Sequence, residues 1–464
     1  MKTKVALQGA LGAGLSVCAA LLLSACGGKV NMAEFNQAFY TGDKEEALKI
    51  AKGGKGVLWD YQSGVNAFWL GESKEAAKLL KSADEGIEKA QEKLISTGYS
   101  PYVYESVLLD LYTAYNYGSQ DDFQKARPAL NRAHDKQNQA KETFAKKIEK
   151  QQKQVEDLKA KIPEKVPLDK LEGQISQISA KFKVAKEYEK YKGFVNPYVT
   201  YVSALSAMIE GDRPKAENLY KQIDKVVENN EILNKDFALM ASGDTQKRTW
   251  ILIEDGSIST KQSVPYRLEP ELSKLIGMAV GLKVPDLLDI VFYMPEFVPG
   301  KRAFGSYSAN GETIKLLSSL DAVAANELQA GAKMAATLSI LKGVGTSVAK
   351  ALATEKLAEK GGAFGGIAAA GTHAAGQVHT ALMEPKALES ISTLPKQYLA
   401  VSIPNTGDEI SIKGDGKEIF NAKLETCGEK SGSLESICAD KNNILVLRAT
   451  SANAPVNAQI IKEQ

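Results

Sequence analysis

The 464-residue chain carries 58 Lys+Arg against 56 Asp+Glu and is 44% apolar and 25% charged. It is too apolar and too evenly charged for a disordered chain, and long enough for two or three domains with their own cores. A net charge of +2 provides no basic field for nucleic acid, and three His with four Cys leave little material for a metal centre or a nucleophile.

Lys2 and Lys4 precede an apolar run from Val5 to Leu23, which closes with Leu23-Ser24-Ala25-Cys26-Gly27. A basic start, an apolar middle and a small-residue site are the parts of an export signal. An ordinary secretory peptide or an N-terminal membrane helix would share the first two. The Leu-Ser-Ala-Cys tetrad resembles the lipobox of bacterial lipoproteins, in which the Cys thiol is acylated and the chain is cut before it. That resemblance implies a signal peptide over residues 1–25 and lipidation of Cys26. With Gly27 rather than Asp following, it implies an anchor in the outer membrane, facing the periplasm. Cleavage would remove Lys2 and Lys4 and leave 56 charges of each sign. No later run reads as a membrane span. The most apolar, Leu275–Val298, is interrupted by Lys283, Pro285, Asp286, Asp289, Pro295 and Glu296. In an oxidising compartment, Cys427 and Cys438, with Gly428 and Gly432 between them, read as a disulfide-closed loop. Two free thiols are the alternative, and no nearby His supports a metal site there.

Aligning the first half on Ala47, Ala76, Ala126 and Ala216 brings three further columns into register. Seven residues later stand Gly54, Ala83, Ala133 and Ile223; twelve earlier stand Phe35, Gly64, Ala114 and Ala204; five earlier stand Gly42, Gly71, Asp121 and Gly211. Small residues at fixed helix positions around an aligned turn residue predict repeated two-helix units, where a generic helical bundle would share only the 3.6-residue period. The spacing resembles that of tetratricopeptide repeats. Between the third and fourth units, about residues 130–192, apolar residues recur at steps of three and four. They run from Leu130 to Ile162 and again from Leu168 to Ala185, around Pro163–Pro167. This predicts an antiparallel coiled-coil hairpin with arms of roughly 40–50 Å leaving the stack. The alternative is two arms folded back on the protein.

After Gly243 the pattern turns mixed. Thr249–Glu254 reads as a strand, with Val264–Leu268 as its hairpin partner, followed by strands at Thr313–Leu317, Tyr398–Ile403, Glu409–Ile412 and Ile444–Ala449. Asp321–Lys342 and Val344–Lys360 read as two helices, and the Gly/Ala-rich stretch Gly361–Gly376 as a loop or loosely held helix. The expected architecture is therefore mainly α. A tetratricopeptide-like repeat domain over 26–243, with a long helical hairpin inserted, precedes a smaller α+β domain over 244–464.

Chemistry is sparse. Ser339-x-x-Lys342 and Ser347-x-x-Lys350 have the spacing of penicillin-binding enzymes but lack the accompanying Lys-Thr-Gly. His373 and His379 have no nearby carboxylate before Glu384, and the Gly343 and Gly361 pairs follow no strand. No cofactor, metal or catalytic residue is expected. Trp59, Tyr61, Phe68, Trp69, Tyr112, Tyr115, Tyr117, Tyr198 and Tyr201 cluster in the repeats. They are either core or the lining of a concave peptide-binding face, with Trp59, Tyr61 and Trp69 the candidate partner contacts. Four segments carry a wider resemblance to a family of bacterial repeat-containing lipoproteins: Trp59-Asp60-Tyr61-Gln62-Ser63-Gly64, Phe194-Val195-Asn196-Pro197-Tyr198, Ile253-Glu254-Asp255-Gly256 and Thr393-Leu394-Pro395. Members often accompany lipoproteins of the penicillin-binding-protein-activator type, which implies a role in cell-wall or envelope assembly; the family carries no catalytic residues. The expected function is a lipid-anchored scaffold for envelope proteins that binds no nucleic acid. The alternative is an envelope hydrolase or small-ligand carrier with its site in the C-terminal domain.

Overall fold

The computed structural model describes residues 30–92, 99, 101–191, 196–224, 226–227, 230–282, 288–360, 389–428 and 433–462. Cys26, His373, His379 and the stretch from Gly361 to Gly376 lie outside them.

Four helical hairpins build the first half: α1 (Met32–Thr41) with α2 (Lys44–Lys52), α3 (Val57–Trp69) with α4 (Ser73–Glu92), α5 (Val103–Gly118) with α6 (Phe123–Asn138), and α9 (Pro197–Ile209) with α10 (Arg213–Asp224). Helices α1, α2, α6 and α9 start where side chains take up free helix amides. Asn31, Asp43, Asp122 and Asn196 accept from the backbone N–H of Ala33, Glu46, Lys125 and Tyr198. The aligned turn residues Gly42, Gly71, Asp121 and Gly211 all adopt the left-handed conformation, with φ of 93°, 75°, 58° and 81°. Glycine takes it freely, and Asp is among the residues that tolerate it. Gly64 has a second reason: a Cβ there would lie 2.9 Å from Leu80 side-chain atoms, so this crossing of α3 and α4 excludes any side chain. A last helix, α11 (Glu231–Ser242), packs on α10 and on the sheet beyond it.

The second half is a layered β structure. One five-stranded sheet has the order β12-β11-β1-β7-β6 and a second the order β10-β9-β8-β4-β5. The first comprises β1 (Arg248–Asp255), β6 (Lys315–Ser319), β7 (Gln397–Pro404), β11 (Asn443–Ala449) and β12 (Asn457–Lys462). The second comprises β4 (Tyr307–Ala309), β5 (Glu312–Thr313), β8 (Glu409–Gly414), β9 (Lys417–Glu425) and β10 (Ser436–Cys438). Central β1 runs parallel to β11 and antiparallel to β7, and every residue in it is buried. Its alternate residues divide the sheet's two faces. Ile251 and Ile253 join Ile410, Ile412 and Ile437 of the second sheet, whereas Trp250 and Leu252 join the helical repeats in one core.

The expected β1 hairpin does not form. β2 (Thr260–Arg267) pairs instead with β3 (Val291–Val298) as a separate two-stranded ribbon, because β1 is already flanked on both sides. The Leu268 amide donates to Ile290 O (2.9 Å), which sets the ribbon's hydrogen-bonding phase. Pro265 and Pro295 then fall in the alternate pairs, where the missing N–H would point outward. Each outer edge is thus blunted against further strand addition.

The inserted arm also departs from expectation. Leu130, Ala133 and Gln137 belong to α6, and the insertion proper begins with α7 (Ala140–Lys159) and continues with α8 (Leu168–Ser179). Twenty residues make α7 about 30 Å long rather than 40–50 Å. The arms do not leave as a coiled coil. They pack with β3, α12 (Pro270–Ala279) and α13 (Leu320–Lys360) around a second core that includes Val155, Leu171, Ile175, Ile178, Phe292, Ile340 and Val344. α13 itself is one 41-residue helix where two were expected. It runs through Gly343, whose Cα side faces Phe292 closely enough that a Cβ would lie 3.4 Å from it. Among the described residues, no helix is long and apolar enough to cross a membrane.

Candidate functional site

The repeats are covered by the chain's own second half. Helix α5 is buried on nearly every side, between its neighbouring helices and the first sheet. From β12, the Asn457 and Gln459 side-chain amides donate to the carbonyls of Trp69 (3.2 Å) and Phe68 (2.9 Å). Ile461 lies against Gly118, where a Cβ would come within 3.2 Å of it. In the segment leading into β7, the Ser392 amide donates to Gln62 Oε1 (3.1 Å), and the Tyr40 hydroxyl donates to the Ser392 carbonyl. The Tyr198 ring stacks on Tyr398 of β7 with centroids 3.7 Å apart.

This arrangement corrects the expectation for two of the three partner-binding candidates. Tyr61 is 0% exposed and donates to Glu105 O (2.7 Å). Trp69 is 2% exposed and packs on Phe68 and Tyr112. Four rings in one short helix do point around its circumference, but the groove side is covered by β12, so rings directed there are core. Trp59 is the exception. It is half-buried, edge-on to Phe35 (5.8 Å), and its indole lies over Gly54, where a Cβ would come 2.2 Å from Cγ.

A set of buried charges holds the halves together, and none of them was a candidate site residue in the sequence. Glu105 and Glu327 both serve the N-terminus of α5: Glu105 accepts from the amides of Tyr102 (2.7 Å) and Ile391 (3.1 Å) and from the Tyr99 hydroxyl (2.5 Å). Glu327, reaching across from α13, accepts from the Val103 amide (2.9 Å). Carboxylates suit the positive end of a helix. On the sheet, Glu254 accepts from the Tyr112 hydroxyl (2.6 Å) and lies 4.0 Å from Arg448 Nε. Arg448, fully buried, donates to the carbonyls of Glu254, Ala449, Thr393 and Leu394. Asp236 of α11 accepts from the Tyr201 hydroxyl (2.6 Å) and Trp250 Nε1 (3.1 Å). Burial pushes Glu254 and Glu327 up to about 7, with Arg448 and Lys147 respectively pulling back, and pushes Asp236 up to about 6. It lowers Lys44 to about 7, aided by nearby Arg448, and Lys261 to about 8. Perturbed acids often mark active sites. Here each carboxylate is engaged with helix amides, phenols or an indole at a sealed interface.

A small cavity of about 250 Å³ lies elsewhere, between the inserted arms and α13. Leu168, Leu171, Ile175 and Leu341 give it an apolar floor, and Lys159, Glu172 and Lys333 stand at its rim. Lys159 pairs with Glu172 (3.5 Å); Lys333 is exposed and makes no ion pair among the described residues. The Ser-x-x-Lys pairs sit along α13, with Ser347 buried and Lys342 exposed. Cys427 and Cys438 form the expected disulfide, and Asp440 accepts from the amides of Cys427 (2.9 Å) and Gly428 (3.0 Å) beside it. No family model matches this chain, and neither does any curated protein or solved structure.

Proposed function

We propose that the protein is an outer-membrane lipoprotein, anchored through Cys26, that works in the periplasm as a non-catalytic adaptor for envelope proteins. The signal-like segment and Cys26 support the anchor, and the Cys427–Cys438 disulfide accords with an oxidising compartment. The repeats, with tetratricopeptide-like spacing, act here as a clasp on the C-terminal sheet rather than as an open peptide groove.

The observation that carries the binding reading is the second core. The arms, the β2–β3 ribbon and α13 share a core of their own, and the cavity between the arms and α13 joins an apolar floor to Lys333, which has no ion pair among the described residues. Such a site fits a partner segment that brings one apolar side chain and a neighbouring carboxylate. A photo-crosslinking residue at Thr337, in the full lipidated chain in cells, tests this. A discrete adduct that disappears when Ser176→Trp fills the cavity supports the reading. Absence of any protein adduct from fully lipidated material contradicts it.

A further inference from the structure

We infer that the turn between α2 and α3 is the membrane-facing surface of the protein, seating Trp59 and Lys52/Lys55 among the lipid headgroups. The inference rests on the lipidation of Cys26 proposed above. Four Cα–Cα steps separate Cys26 from Val30, so their Cα atoms lie within about 14 Å whatever path the chain takes. Val30 is in turn fixed against the turn: a Cβ on Gly53 would sit 3.3 Å from its Cγ2. The headgroup layer of each leaflet is roughly 5–8 Å deep. A lipid rooted at Cys26 therefore tethers residues 52–56 within about 20 Å of the anchor, close enough for the turn to reach that layer.

The residues gathered at this end suit that environment. Trp59 is the only one of the three Trp with a partly exposed ring, since Trp69 and Trp250 are 2% and 3% exposed. An indole, apolar with one polar N–H, partitions to the membrane–water boundary. Lys49, Lys52 and Lys55 are exposed around it. The first two form surface pairs with Glu46 (3.0 Å) and Glu75 (3.3 Å), which water weakens, and Lys55 has no ion pair among the described residues. Gly53, Gly54 and Gly56 keep side chains from holding the phosphates off. Lysines beside an anionic lipid surface add electrostatic attraction to it. This surface sets the orientation of the repeat stack on the bilayer, beyond what the acyl chains alone define.

The test uses the lipidated full-length protein in phosphatidylglycerol/phosphatidylcholine vesicles, with intact mass confirming the acylated Cys26. Because Trp59 is the one partly exposed Trp of the three, the quenchable part of the Trp emission reports this turn. Headgroup-labelled quencher lipids should reduce the emission, and aqueous acrylamide should quench it less than in the soluble Cys26→Ala protein. Trp59→Phe should abolish both effects, and Lys52→Glu with Lys55→Glu should weaken the lipid quenching while far-UV circular dichroism stays unchanged. If acylated protein shows no lipid quenching, the orientation is overturned and the anchor stands. If Cys26 carries no lipid, both readings fall.

Discussion

The Tyr112–Glu254 contact joins α5 to β1, and its loss should depend on pH in a way that ordinary packing would not. Tyr112→Phe removes the phenol that donates to Glu254 Oε2 at 2.6 Å and leaves ring packing intact. A hydrogen bond to a charged group contributes about 1.5–3 kcal/mol, and one between neutral groups about 0.5–1.5. Glu254 is pushed up to about 7 by burial, so the native protein holds it neutral at pH 5 and ionised at pH 8.5. The substitution should therefore cost about 1 kcal/mol at pH 5 and about 2–3 kcal/mol at pH 8.5, because the ionised carboxylate loses a donor it cannot replace with water. In the Glu254→Gln background the same change should cost about 1 kcal/mol at both pH values. Urea unfolding of the four proteins, compared at constant m-value, supplies the numbers. Equal costs at pH 5 and pH 8.5, or strict additivity of the two substitutions at pH 8.5, would refute the assignment of Glu254 as a buried, Tyr112-dependent acid.

Other outcomes follow from the same interface. Glu254, Glu327 and Asp236 release their protons earlier in the unfolded chain, so their contribution is fully present near pH 4 and is lost as pH rises through 6–7. Lys44 and Lys261, lowered to about 7 and 8, act oppositely, and stability recovers from there towards pH 10. Unfolding free energy against pH should thus show a trough near pH 7–8, and a maximum there contradicts the burial of these groups. Tyr61→Ala and Trp69→Ala should each cost about 3–5 kcal/mol, as truncations of buried rings, and early thermal unfolding of both variants is the expected reading. Replacing Cys427 and Cys438 by Ser should cost about 3 kcal/mol for an 11-residue separation in the chain-entropy picture, and an unchanged denaturation midpoint would count against a structural role.

Local physics made some elements legible in the sequence and left others hidden. The hairpin turns could be read at Gly42, Gly71, Asp121 and Gly211 because a left-handed residue is a local demand that few residue types meet. The β1 run Thr-Trp-Ile-Leu-Ile-Glu was likewise visible, as a continuous apolar strand. Its partners were not. β11 and β7 lie far along the chain, and a short-range reading assigned the neighbouring Val264–Leu268 instead. The amphipathic arms were recognised by their period, but the same apolar stripe fits a coiled-coil partner or α13 equally well, and only the fold chooses. The aromatic cluster reads as either core or groove lining for a related reason: ring density shows that several surfaces must be covered, and here the cover comes from β12 at the other end of the sequence. Arg448 and Glu254 were invisible because a buried charge is defined by its surroundings, not by its neighbours in sequence.

Native-state hydrogen exchange followed by mass spectrometry tests the central claim, that the repeats clasp the C-terminal sheet as one cooperative unit. Under increasing urea, amides of α3, α5, β1 and β11 should exchange through one shared opening, with the same free energy and the same denaturant slope. Exchange of α3 and α5 through an earlier opening that leaves β1 and β11 protected would show that the repeats part from the sheet on their own, and would contradict the clasp.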